Sequence, residues 1–173
     1  MKELVWILVS YALLAIESPL LGHLDSQFYA PDIALLTALY AGSRTPMLRA
    51  VATAFAIGLI KDGLATSVPI GLNTEIAVLI ALTAQLLERR VDLRSPVPLM
   101  ATAAALSLLS TGVFLALEAI FHRSFNSYGD VLRMALPLAL ITMLVAPVQF
   151  ALLNRVTRRF EARERAGAIF LRR

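Results

Sequence analysis

Six apolar runs, at residues 4–21, 33–42, 47–60, 73–87, 96–121 and 131–153, dominate the chain, with short polar connections between them. A helix on the surface of a soluble domain carries one apolar stripe and one polar face. These runs are apolar on every side, a pattern that suits a hydrocarbon solvent. Of 173 residues, 58% are hydrophobic and 16% charged, and mean hydropathy is +0.74. A soluble domain holds ~45–50% apolar and ~25% charged residues. The pattern predicts an all-α integral membrane protein with six transmembrane helices.

The punctuation between runs is specific. Pro19 and Gly22 close the first run, and Trp6 near its start suits the headgroup belt. Glu17-Ser18-Pro19 is a poor cleavage site, so this run reads as the first membrane helix rather than a leader. Pro31-Asp32 opens the second run, where proline presets φ and an acid complements the helix dipole. That run is short for ~30 Å of hydrocarbon and implies shelter among neighbours, little tilt or an extension back through Phe28-Tyr29. Residues 42–46, Gly-Ser-Arg-Thr-Pro, read as a turn. In the third run, Ala50, Ala54 and Gly58 recur every four residues and give one face fit for close helix contact. The third run ends at Ile60 or a turn beyond, and residues 61–72, with two glycines and a proline, read as an interruption. Pro137 and Pro147 fall inside the sixth run, where a bend is expected.

Charge sets the orientation. An even number of spans puts both termini on one side, and thirteen of the sixteen Lys and Arg residues then fall on that side. The positive-inside rule makes it the cytoplasm. Residues 1–154 read as one six-span membrane domain and 155–173 as a basic cytoplasmic tail. Arg155, Arg158, Arg159, Arg163 and Arg165 there can hold anionic lipid headgroups, and the tail can continue helically past the membrane. The basic balance therefore reflects topology, not a nucleic-acid partner.

A few charges interrupt this apolar material. Asp32, Lys61, Asp62 and Glu75 lie in or beside the runs, and a charge at membrane depth costs at least a few kcal/mol unless a partner or water faces it. Glu17 and Glu118 sit near run ends, where snorkelling accounts for them. Gly58, Gly63 and Gly71 flank Lys61-Asp62 and imply close backbone approach or a helix break. Asp32, Asp62 and Glu75 are the one set from which paired carboxylates could be built, and neutralisation by Lys61 or an arginine is the simpler use for them. Ser67 with Lys61 has no spacing that marks a nucleophile. The chain contains no cysteine, its two histidines (His23 and His122) are far apart, and no phosphate loop, dinucleotide turn, HExxH or GxSxG occurs. These features point away from an enzyme and from any metal or cofactor.

The stretch from residue 28 to 90 carries a sharper signature. Pro31-Asp32 leads into Leu35, Leu36, Leu39 and Tyr40; Gly58 is followed by Asp62, and Gly71 comes nine residues later. In order and spacing this resembles MreD, the rod shape-determining membrane protein family of bacteria. Lys61 stands where that pattern has an apolar residue, and Glu75 is additional. The resemblance implies a six-helix fold similar to the S components of energy-coupling-factor transporters. It also implies a non-enzymatic scaffold of cell-wall elongation that binds MreC and acts indirectly on RodA, a class B penicillin-binding protein and MreB. Pro31, Asp32, Gly58, Asp62, Gly63 and Gly71 would then form a structural or partner-binding motif, stabilising helix ends or shaping a central cavity. A transporter S component or other small solute carrier would share the size and span count. It would need converging polar groups, and Asn73 and Gln85 stand isolated in sequence.

Overall fold

The computed structural model describes residues 2–23, 30–64, 70–121 and 128–170. The described residues form six helices: α1 (Lys2–His23), α2 (Ile33–Arg44), α3 (Met47–Leu64), α4 (Leu72–Glu88), α5 (Pro96–Phe121) and α6 (Tyr128–Phe170). Two helical stretches, Pro96–Leu117 and Val131–Glu161, are long and apolar enough to cross a membrane by length and composition. Each predicted run coincides with one of the six helices. Residues 96–121 match α5 end to end, and α6 runs on through the basic tail to Phe170.

The helices are arranged as a ring with an axle. α1 touches α3, α3 touches α4, α4 touches α5, α5 touches α6, and α6 returns to α1. α2 lies inside this ring and touches all five. Every residue of α2 from Ile33 to Ser43 is buried. Twelve residues at ~1.5 Å rise give a helix of only ~18 Å, shorter than a bilayer core. Enclosure removes the need to span, because α2 presents its sides to protein rather than lipid. Small residues permit the crowding: Ala34, Ala38 and Ala41 on α2 face a core that includes Ala54, Ala77, Ala81, Ala84, Ala103 and Ala146.

Close approach is concentrated at two glycines. A Cβ on Gly58 would lie 2.5 Å from the Thr74 Cα of α4, and one on Gly42 would lie 2.5 Å from the Ala81 carbonyl oxygen. Both contacts are with backbone, so neither helix can yield by turning a side chain. The Ala50–Ala54–Gly58 face of α3 is buried, as its spacing predicts.

Two local readings need correction, and one boundary is fixed. Gly42, Ser43 and Arg44 are helical, and α2 ends with an extended Thr45; glycine serves packing there instead of a turn. α3 continues through Lys61, Asp62 and Gly63 to Leu64, the turn beyond Ile60 that the sequence allows. Trp6 is 1% exposed and faces the core, not a headgroup belt. Its ring meets Tyr40 edge-on at 5.0 Å, Tyr40 meets Phe150 at 5.1 Å, and the Trp6 Nε1–H donates to Thr157 Oγ1 at 2.8 Å.

Candidate functional site

The embedded charges gather where α2 and α4 begin and α3 ends. Asp62, in the last turn of α3, is 2% exposed and points at the start of α4. Its Oδ2 accepts from the Gly71 N–H at 3.0 Å, the Thr74 N–H at 3.1 Å and the Thr74 hydroxyl at 2.6 Å. Its Oδ1 accepts from the Asn73 N–H at 3.0 Å and the Asn73 side-chain amide at 2.9 Å. The first turn of any helix leaves N–H groups without intrahelical acceptors. α4 has no capping side chain of its own, since its N-cap is Gly71, at φ 106. One carboxylate borrowed from the preceding helix does the work of a cap, and charge-assisted bonds of this kind are the strong ones. Gly71 is needed for its backbone, because that φ suits a residue without Cβ.

Asp32 plays the corresponding part for α2 from its own chain. Its Oδ1 accepts from the Leu35 N–H at 3.0 Å, an N-cap. The same carboxylate meets Lys61 Nζ at 3.0 Å through both oxygens, with both side chains largely sheltered. Lys61 therefore ties the beginning of α2 to the end of α3. The Asp32 N–H in turn donates to Thr142 Oγ1 of α6 at 3.1 Å. Glu17 of α1 lies within electrostatic reach of Asp32 and Lys61.

A polar thread continues along α2 into the core. Gln149 of α6 donates through Nε2 to the Ile33 carbonyl at 3.0 Å and to Thr37 Oγ1 at 2.8 Å. Thr37 also shares a 2.7 Å hydrogen bond with Ser10 of α1. At the far end of α2 the Tyr40 hydroxyl donates to Asn154 Oδ1 at 2.8 Å. α2 is thus pinned to α1, α3 and α6 by polar contacts that a lipid-filled gap could not supply.

Among the residues singled out from sequence, Asp32, Gly58, Asp62 and Gly71 all lie on this junction, with Pro31 immediately before the α2 cap. Gly63 is exposed, and a Cβ there would meet nothing within 4 Å. Glu75 is exposed on the first turn of α4, so Asp32, Asp62 and Glu75 do not share a site. Asn73 and Gln85 are not isolated: Asn73 binds Asp62, and Gln85 Nε2 donates to the Thr45 carbonyl at 2.8 Å. Sequence reasoning overlooked Thr74, Thr142 and Gln149. Thr74 had a usable signal, a hydroxyl three residues after Gly71 at a helix start; Thr142 and Gln149 had none beyond polarity in an apolar run. Ser67 and His122 lie outside the described residues.

A family model described as rod shape-determining protein MreD matches residues 1–156. The chain belongs to the MreD family. MreD proteins are membrane components of the MreBCD machinery that determines rod shape. No curated protein and no solved structure matches the chain. The matched region takes in all the MreD-like positions from Pro31 to Gly71 and every helix of the ring up to Val156 of α6.

Proposed function

We propose that the chain is a non-enzymatic scaffold of the bacterial cell-wall elongation machinery. It crosses the cytoplasmic membrane six times with both termini in the cytoplasm, and its helices adopt the arrangement of transporter S components. It binds MreC in the membrane and beside it, and through MreC influences RodA, its class B penicillin-binding partner and MreB. Its tail, residues 155–173, carries α6 on from the membrane domain, residues 1–154, and anchors to anionic headgroups.

The observation that carries this reading is the use made of the Asp62 carboxylate. It is committed to five donors at one helix start, and Asp32 is committed to a cap and to Lys61. Groups so engaged hold helices in place; they are not poised to take up a proton or a solute. Pro31, Asp32, Gly58, Asp62 and Gly71 then fix the α2–α3–α4 junction for a neighbouring protein, and the exposed Gly63 beside them is open to contact with that partner. Copurification of the full chain with MreC, followed by crosslinking from each helix, tests the proposal. Crosslinks confined to one side of the ring support it. Failure to recover MreC from a membrane that also contains folded protein would refute it. Asp32→Asn and Asp62→Asn separate structure from function: a variant that folds fully yet loses rod shape assigns that charge a direct role.

A further inference from the structure

At the opposite end of α2 the ring opens into a cavity of about 750 Å³ between the ends of α2 and α4 and the loop leading to α5. That is a volume typical of ligand sites, ~300–1,000 Å³. Its lining includes Arg44, Arg89, Arg90 and Arg94, against two acids, Glu88 and Asp92. The arginines exceed what the helix ends require. Arg44 in the last turn of α2 and Arg89 at the C-cap of α4 complement helix dipoles, but Arg94 belongs to no helix. Among the described residues none of the four is in an ion pair. Asp92 Oδ1 accepts from the Arg94 N–H at 3.0 Å, which shapes the loop, and four arginines against two carboxylates leave the lining cationic.

The backbone around the site is tied to the core. Gln85 fixes the Thr45 carbonyl, Leu93 plugs the loop into the core at 5% exposure, and Arg44 lies 5.8 Å above the Tyr40 ring. Around it the chain turns apolar and exposed at once: Met47 and Leu48 follow Pro46, Val97 follows the loop, and Leu86 is one turn before Arg90. Guanidinium groups match phosphate oxygens through paired N–H donors. A cationic floor under an apolar rim has the chemistry of an anionic phospholipid, with its phosphate inside and its acyl chains along the rim.

We infer that this cavity binds the phosphate headgroup of an anionic phospholipid. No residue of the tail lines the site, and binding there does not depend on MreC. Native mass spectrometry of the detergent-solubilised full chain, titrated with palmitoyl-oleoyl phosphatidylglycerol or the matching phosphatidylcholine, tests it. One phosphatidylglycerol should be retained in preference to phosphatidylcholine. Combined Arg89→Gln, Arg90→Gln and Arg94→Gln should weaken that binding tenfold or more, given the contribution of each basic residue near a headgroup. Glu88→Gln, on an exposed side chain, should tighten it about fivefold by the same reckoning. Replacing the tail residues Arg155, Arg158, Arg159, Arg163 and Arg165 by Gln should leave it in place. A loss smaller than tenfold in the triple variant, or a loss caused by the tail variant alone, overturns the inference. Displacement of the lipid by millimolar inorganic phosphate also overturns it, because the cavity would then be reading free phosphate. Should the triple variant fail to fold, Glu88→Gln and Arg94→Gln decide, and unchanged binding in both overturns the assignment.

Discussion

Replacing Asp62 should unfasten α4 before it disturbs anything else. In Asp62→Ala three backbone N–H groups, of Gly71, Asn73 and Thr74, lose their acceptor together with the Asn73 amide and the Thr74 hydroxyl. A buried donor left without a partner costs about 1–3 kcal/mol, and loss of an ordinary cap about 0.5–2 kcal/mol. The losses share one carboxylate and do not add fully, so about 4 kcal/mol is the expected total. Asp62→Asn is milder. Its amide oxygen can take the Oδ2 position, where three donors converge, leaving the Asn73 N–H to face an NH₂ group while the Asn73 side-chain amide turns over to accept from it. A cost of about 2 kcal/mol follows. For a chain of this size 1 kcal/mol moves Tm by about 2–4 °C. Thermal melts of the purified protein in one detergent should therefore place Asp62→Asn about 6 °C and Asp62→Ala about 12 °C below the wild type. Hydrogen exchange should speed up first at the opening turn of α4. An alanine variant melting within 2 °C of the wild type, or faster exchange spread evenly over all helices, would refute the capping argument.

Further outcomes follow from the same junction. Gly58→Ala must force α3 and α4 apart, because the new methyl would lie 2.5 Å from the Thr74 Cα; a loss of about 2–3 kcal/mol is expected in melts. Gly63→Ala meets nothing within 4 Å and should be neutral or stabilising by up to about 1 kcal/mol through helix propensity. Lys61→Met leaves the Asp32 carboxylate sheltered without its cation and should destabilise, whereas Asp32→Asn with Lys61→Met should recover most of the loss, since asparagine caps about as well as aspartate. A double-mutant cycle on Tm measures this, and a double variant no better than Lys61→Met refutes it. Tyr40→Phe deletes the 2.8 Å bond to Asn154 without altering the aromatic cluster, for a loss of about 1 kcal/mol. Fluorescence of the single Trp6 should stay at its buried wavelength in that variant.

Helix existence was legible in the sequence because each helix is an apolar run bounded by proline, glycine or charge. Pro31-Asp32 marked the start of α2, where the proline shaped the approach and the acid took the cap. The four-residue spacing of Ala50, Ala54 and Gly58 marked a contact face because small side chains repeated on one side of a helix have little other use. The ring around α2 was not legible, since every run is apolar all round and periodicity cannot say which side meets protein. Its shortness was the one clue. Gly42 was misread because a glycine beside Ser-Arg-Thr-Pro looks like a turn, and only the nearness of the Ala81 carbonyl reveals its purpose. Trp6 was misread because an indole near a run end suits both a headgroup and a buried partner, and Tyr40 and Thr157, far along the chain, decide between them. The grip of Asp62 on α4 joins residues 9 to 12 positions apart across an interruption, beyond the reach of any local helix rule.

The length of α6 has a mechanical consequence. Its 43 residues make a rod of ~65 Å, while ~20 residues suffice to cross ~30 Å of hydrocarbon. Its apolar stretch, Val131–Glu161, ends nine residues before Phe170, so about 13 Å of helix runs on past it. A protein that gripped that extension would have hold of the same helix that carries Gln149 and Thr142, the residues that meet the enclosed α2.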